Sequence, residues 1–161
     1  MDLNEMKKEL FYEPKHAMET VSDEEVKLAD EFCEGYKSYL DEAKIERESV
    51  EFFVKEAEKL GYTEFDNSKK YIAGDKVYFN NRGKAIILCV IGKKDISEGV
   101  KISAAHIDSP RLDLKPNPLY EDSSLAYFKT HYYGGIKKYQ WTAIPLALHG
   151  VVVKANGESV K

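Results

Sequence analysis

A histidine and an aspartate two residues apart stand past the middle of the chain, in Ser103-Ala104-Ala105-His106-Ile107-Asp108. In an extended backbone, residues two apart point to the same side, so the imidazole and the carboxylate become neighbours while Ile107 faces the packing. A metal-bound histidine needs such a neighbour, because it donates its second ring N–H to a carboxylate or a carbonyl, which sets its tautomer and raises its basicity. The small side chains before His106 let other segments approach a strand end, where α/β folds place their ligands. Taken alone, one His-x-Asp fits a surface or hydrogen-bonded histidine better than a ligand, since most histidines bind no metal. A serine-nucleophile reading of His106, Asp108 and Ser109 fails on geometry. Adjacent residues of a strand face opposite ways, and no nucleophile-elbow glycines flank Ser109.

The remaining candidates are weaker. Cys33 and Cys89 are far apart, neither has a Cys or His at zinc-site spacing, and each reads as a small buried hydrophobe. His16 precedes a helix and is expected at the surface. His131 and His149 fit strand-surface or interface positions better than ligation. After the motif the acids are Asp113, Glu121, Asp122 and Glu158, all in contexts typical of solvated loops.

Composition excludes some partners. With a formal net charge of -4, the chain has no basic face for nucleic-acid phosphates. Its eleven Tyr and seven Phe are scattered through apolar segments, as core or interface packing requires, rather than arrayed for base stacking. The start, MDLNEMKKELFYEP, lacks the apolar core of a signal peptide, and the apolar run Ala85 to Ile91 is too short to span a bilayer. The expected compartment is the cytosol.

The elements that must position His106 can be read in order. Residues 1–20 are weakly periodic, and Pro14 interrupts any early helix. Ser22 and Glu25 form a capping-box pattern, followed by Ala29, Phe32, Cys33, Tyr36, Leu40 and Ala43 on one helical face. A second helix carries Val50, Phe53, Val54, Ala57 and Leu60 and stops at Gly61. Both faces are expected to be core. Lys76 to Asn80 predicts a strand, Asn81-Arg82-Gly83 a turn, and Lys84 to Ile91 a strand buried on both faces. Val100 to Ala105 predicts a third strand ending at His106. Together these indicate a helix-covered sheet. Pro110, Pro116 and Pro118 then rule out a central strand, so a boundary is placed near Leu112 to Pro118 with a β-rich unit beyond it. In that unit Leu125 to Tyr133 and Ile144 to Val153 read as strands around a Gly134-Gly135 turn. Lys154-Ala155-Asn156-Gly157 is a hairpin signal, with Val160 opening the return strand. An apolar edge left unpaired at this point leads us to expect a polypeptide that continues beyond Lys161; a natural end with a loose tail is the alternative.

The segment SAAHIDSPRLDLKPNPLYE closely resembles the zinc-ligand segment of the aspartyl aminopeptidase and aminopeptidase I family of metallopeptidases. YYGGIKKYQW followed by IPLALHGVVV resembles that family's signature in its second domain. The likeness is closest over residues 84–153, and Ile144-Pro145 makes it nearer to the prokaryotic aminopeptidase I branch than to the animal aspartyl enzyme. The resemblance implies an α/β fold: the first portion of a metalloaminopeptidase catalytic domain with a helix-covered mixed sheet over residues 1–111, then the start of an inserted β-rich domain over 112–161. It implies His106 as a metal ligand and Asp108 as the catalytic aspartate that orients it, with no chemical role for Ser109 or Pro110. It also implies two divalent metal ions, usually zinc, in the complete enzyme, peptide substrates cleaved at the N-terminal bond, and a homo-oligomer assembled through the β-rich domain, where Tyr132, Tyr133 and Trp141 are candidate interface residues. The further ligands and general base of such a site lie in segments that the family carries downstream of those present here. The alternatives are a non-catalytic truncated or assembly module of the same fold, and a small-ligand binding domain with no metal.

Overall fold

The structure, a computed structural model, describes residues 2–12 and 14–161. Met1 and Glu13, part of the stretch read for a leader, lie outside the described residues. The chain divides into two compact units, Met1–Ser38 and Tyr39–Lys161.

The first unit holds helix α1 (Leu3–Leu10), a short 3-10 turn (Ala17–Glu19) and most of helix α2 (Asp23–Glu42). Helix α1 was not anticipated. Its N-terminus is closed by Glu5, whose carboxylate accepts the Asp2 N–H at 3.1 Å. The capping box of α2 forms as expected: the Ser22 N–H donates to Glu25 at 2.7 Å, and the Glu25 N–H donates to the Ser22 hydroxyl at 3.3 Å. The apolar face of α2 departs from expectation. Phe32 is 77% exposed, and Cys33, Tyr36 and Leu40 are exposed as well. Periodicity shows that a helix has a face to bury, and no described residue of Met1–Ser38 is buried.

The second unit builds its core on helix α3 (Glu46–Lys59) and a three-stranded sheet of β1 (Thr63–Glu64), β2 (Lys76–Asn81) and β3 (Ala85–Val90), in the order β1-β2-β3. Strand β1 runs parallel to β2 and had no sequence signal; β2 and β3 are antiparallel, from Lys76 opposite Val90 to Asn81 opposite Ala85. Arg82 and Gly83 take positive φ in the connecting turn, as expected. Gly61, at φ 82°, ends α3. Helix α3 lies against β2 and β3. The Tyr78 hydroxyl donates to Glu58 at 3.0 Å, and the Lys76 ammonium donates to the Leu60 carbonyl at 3.0 Å. The buried residues are Ala43, Ser49, Val50, Ala57, Val77 and Tyr78. Burying a side chain such as Val50 contributes about 1.5–3 kcal/mol.

Three expectations for this unit need correction. Strand β3 exists, but Ile87, Leu88, Cys89 and Val90 are exposed rather than buried on both faces, because α3 covers the sheet only in part. Val100 to Ala105 forms no strand, and Ile102 is 83% exposed; a strand needs a neighbouring ladder, and none of the described strands pairs with this segment. Of Ile144 to Val153, only Val152–Val153 is a strand.

The later part is a long hairpin of β4 (Arg111–Asp122) and β5 (Leu125–Tyr133), then a short helix α4 (Lys138–Trp141) and a small hairpin of β6 (Val152–Val153) with β7 (Ser159–Val160). Strand β4 begins at the first residue of the proline-interrupted stretch and has one neighbour only, so Pro116 and Pro118 cost no second ladder; the register shifts between Leu114 and Leu119 to accommodate them. Ser123 and Ser124 turn the hairpin with φ of 53° and 62°. The expected hairpin at Asn156-Gly157 forms, with Val152 opposite Val160. No helix among the described residues is long and apolar enough to cross a membrane.

Candidate metal-ligand site

His106 lies in the irregular stretch that joins the α3 layer to the β4–β5 hairpin, and contacts to both hold it. From the layer, the hydroxyl of Ser49, a residue 1% exposed at the end of the first turn of α3, donates to the Ile107 carbonyl at 3.3 Å. The same oxygen lies 3.2 Å from the Tyr39 hydroxyl. Ser49 spends its one proton on the carbonyl, so Tyr39 is the donor of that pair. Tyr39 is in turn packed against Phe52 and Phe53, with ring centroids 5.2 and 5.0 Å away. A polar group this buried needs its partners, and here it gives the backbone between His106 and Asp108 a fixed anchor.

The His106 side chain is 84% exposed. Its Nδ1 lies 3.0 Å from the Asp108 carbonyl and 3.2 Å from Asp108 Oδ1. Between two acceptors Nδ1 carries the proton, which leaves the lone pair on Nε2. Asp108 is more enclosed, its side chain 27% exposed. A hydrogen bond from the Tyr133 hydroxyl, at the end of β5, holds its carboxyl below the usual carboxylate range; slight desolvation opposes this, while the Asp108 backbone and His106 add to it. The same bond, with the charge of Asp108, raises the Tyr133 phenol.

Arg111 closes the arrangement. Its Nε donates to Asp113 at 2.7 Å, its Nη1 donates to the Ser109 carbonyl at 3.2 Å and stands 3.9 Å from Asp108 Oδ2, and its guanidinium lies 4.3 Å from the centre of the Tyr133 ring. Arg111 and Tyr133 are opposite each other in the β4–β5 register. One residue on, Gly134 has φ 71°, which favours glycine, and a Cβ built on it would crowd Pro110 at 3.3 Å.

The structure therefore brings His106 and Asp108 together, with Ser109 and Pro110 serving the backbone. It does not bring the other candidates to them. Asp113 is engaged by Arg111, and Glu158 pairs with Lys154 at 2.9 Å. Glu121 and Asp122 are exposed near the far turn of the hairpin. His16 accepts the Met18 N–H at 3.4 Å, and the His131 ring lies 6.1 Å from that of Tyr132. His149 is not on a strand; its Nδ1 meets Glu48 at 2.7 Å beside a cleft of about 740 Å³ whose lining includes Ile45, Leu112, Trp141 and Leu148 but not His106. Among the described residues no group of three or more His, Cys, Asp or Glu could hold a metal ion. Sequence reasoning missed Ser49, Arg111 and the hydroxyl of Tyr133. No spacing rule links Ser49 to Ile107, 58 residues away.

Comparison with known proteins gives the family of the chain. The family model described as aminopeptidase I zinc metalloprotease (M18) matches residues 39–161, beginning at the residue where the second unit begins. A probable M18 family aminopeptidase 1 of Clostridium acetobutylicum is 48% identical over 159 residues, covering 96% of this chain and 34% of that protein. One from Thermotoga neapolitana is 46% identical over 134 residues, covering 81% of this chain and 28% of the relative. Among solved structures, aminopeptidase I from Borrelia burgdorferi B31 superposes with a TM-score of 0.83 at 40% identity, covering 91% of this chain and 36% of that one. Aminopeptidase I from Clostridium acetobutylicum gives 0.77 at 48% identity, covering 94% and 34%. The chain spans about a third of the length of the relatives it matches. With its helix-on-sheet fold and its histidine–aspartate pair, the chain belongs to the aminopeptidase I zinc metalloprotease family, M18.

Proposed function

We propose that this chain supplies one metal ligand, His106, to a zinc-dependent aminopeptidase that removes N-terminal residues from peptides. The observation that carries the reading is the contact of His106 Nδ1 with Asp108, which leaves Nε2 as the donor nitrogen. An imidazole nitrogen backed by a carboxylate is a donor that zinc accepts well, so the residues present fit a zinc ion as one corner of its shell. They do not fit as a complete shell, since the described residues hold no group of three or more ligating side chains. The remaining ligands and the general base belong, in this reading, to the rest of a complete enzyme with two metal ions. The chemistry such ions supply is polarisation of the peptide carbonyl and acidification of the attacking water. Asp108 keeps the imidazole in the ligating tautomer, and Ser49 keeps the backbone of the pair in place.

In the same reading residues 1–111 are the first portion of the catalytic domain and 112–161 the start of a β-rich domain through which the enzyme forms a homo-oligomer. The exposed aromatic side chains of β5, among them Tyr132 and Tyr133, suit that role. The compartment we assign is the cytosol, with no nucleic-acid or membrane partner.

The test is His106→Ala in the complete polypeptide, assayed for zinc content by elemental analysis and for release of N-terminal residues. Loss of activity by several orders of magnitude, with loss of bound zinc, is the expected outcome. Retained activity with a full zinc complement would show that the ligand assignment is wrong. A folded wild-type enzyme with neither metal nor activity would leave the non-catalytic assembly module as the correct reading.

A further inference from the structure

We propose that residues 144–151 form a strap over the cleft beside α3, and that the hydrogen bond between His149 and Glu48 is the catch that holds it shut. The proposal goes beyond the metal reading and does not depend on it. The cleft, of about 740 Å³, lies between the residues that lead into α3, among them Ala43 and Ile45, the first part of β4, with Leu112, and the strap, with Leu146 and Leu148. Little stiffens the strap from within. Residues 144–150 are all exposed, and among the described residues they make no backbone hydrogen bond. Segments with few buried contacts and no ladder open at low cost. The polar contact that ties this stretch to the rest of the chain is made by His149, whose Nδ1 donates to Glu48 Oε1 at 2.7 Å across 101 residues.

The catch has a fixed half and a moving half. Glu48 Oε2 accepts the Lys44 N–H at 2.7 Å and the Ile45 N–H at 3.3 Å, closing the start of α3. A carboxylate held through one oxygen cannot swing away, so Oε1 stays aimed at His149. The helix beneath it is firm, since the next two residues, Ser49 and Val50, are buried. The moving half is the strap. The His149 and Glu48 side chains are 34% and 29% exposed, so water can replace the bond once it breaks. Trp141, at the end of α4, lines the same cleft and is the one tryptophan of the chain. Its accessibility therefore reports where the strap stands.

The experiment measures quenching of Trp141 fluorescence by acrylamide at neutral pH, in the full chain as wild type, His149→Phe, His149→Asn and Lys154→Met. His149→Phe keeps a ring and removes the donor, while His149→Asn returns an N–H donor close to the position of Nδ1. Lys154→Met breaks the ion pair with Glu158 in the neighbouring β6–β7 hairpin and leaves the catch alone. Quenching is expected to rise in His149→Phe, because losing a hydrogen bond to a charged group shifts the balance of closed and open forms by about tenfold. It is expected to stay near the wild-type value in His149→Asn and Lys154→Met. Unchanged quenching in His149→Phe would overturn the proposal, as would an undiminished rise in His149→Asn. An equal rise in Lys154→Met would overturn it too, by showing a general loosening of the C-terminal stretch. Should His149→Phe fail to fold, the wild type carries its own test: a nuclear Overhauser effect between the His149 ring and the Glu48 side chain is expected, and its absence would mean that the catch does not close.

Discussion

The two bodies of structure on either side of the His106 segment, the α3–β2 layer and the β4–β5 hairpin, hold it by different physics. The buried side chains belong to the layer and the residues just before it, from Ala43 to Tyr78, and the layer fastens Ile107 with a hydroxyl that water does not reach. The hairpin has no buried residue. It reaches Asp108 with the Arg111 guanidinium, which lies over the Tyr133 ring in the register that sets the two residues opposite each other. A support of the first kind is sensitive to volume and to unmet hydrogen bonds, because the interior is close-packed and dry. One of the second kind tolerates changes of volume and responds to the loss of single polar groups.

The largest test of this contrast is Val50→Ala. Val50 is fully buried, and truncating it should cost about 2–3 kcal/mol by transfer and cavity terms. The matching truncation on the hairpin, Leu119→Ala at an exposed position, should stay within about 0.5 kcal/mol. Chemical denaturation measures both, and equal costs would erase the distinction between the two supports. Next is Ser49→Ala, which strips a partner from both the Ile107 carbonyl and the Tyr39 hydroxyl and should cost about 1–2 kcal/mol. The carbonyl-carbon resonance of Ile107 should also shift; an unchanged resonance would remove Ser49 from the account of the site.

On the hairpin side, Gly134→Ala places a Cβ against Pro110 at a positive φ and should cost about 1 kcal/mol. Its sharper signature is a shift of the Asp108 and Arg111 backbone resonances, and a silent spectrum would mean that the Pro110–Gly134 contact does not set the segment. The smallest effect concerns Glu48. Desolvation raises its pKa, but hydrogen bonds from His149 and from the Lys44 and Ile45 N–H groups outweigh this together and lower it below the ordinary value of 4.5. A carboxylate depressed in the folded state adds stability above its unfolded pKa, and that stability is lost as the pH falls through the folded value. The melting temperature should therefore drop less in Glu48→Gln than in wild type between about pH 6 and about pH 3. Equal drops would show that the contact between His149 and α3 is not maintained in solution.

The local features were legible in the residues because each is settled within a few positions. The Ser22–Glu25 capping box, the Gly61 stop and the Asn156-Gly157 hairpin need only their own neighbours. His106 and Asp108 belong to the same class: two residues apart, they need an extended backbone and nothing more to meet. Burial was misread wherever it depended on a second surface. The composition of β3 describes a strand suited to cover on both faces, and the periodicity of α2 a helix suited to cover on one, but neither specifies that the cover is present. Val100 to Ala105 failed as a strand for the same reason, since a ladder has two sides.

What the sequence by itself determined was thus the histidine–aspartate pair, the caps and turns around it, and, through the order of its motifs, the family. What only the tertiary structure decided was which groups hold the pair in place: Ser49 reaching the Ile107 carbonyl from 58 residues away, and Tyr133 and Arg111 joined across a strand register. The division follows from range. Contacts between near neighbours are dictated by bond geometry and side-chain type, whereas contacts between distant residues depend on how whole surfaces meet, and no local spacing encodes that.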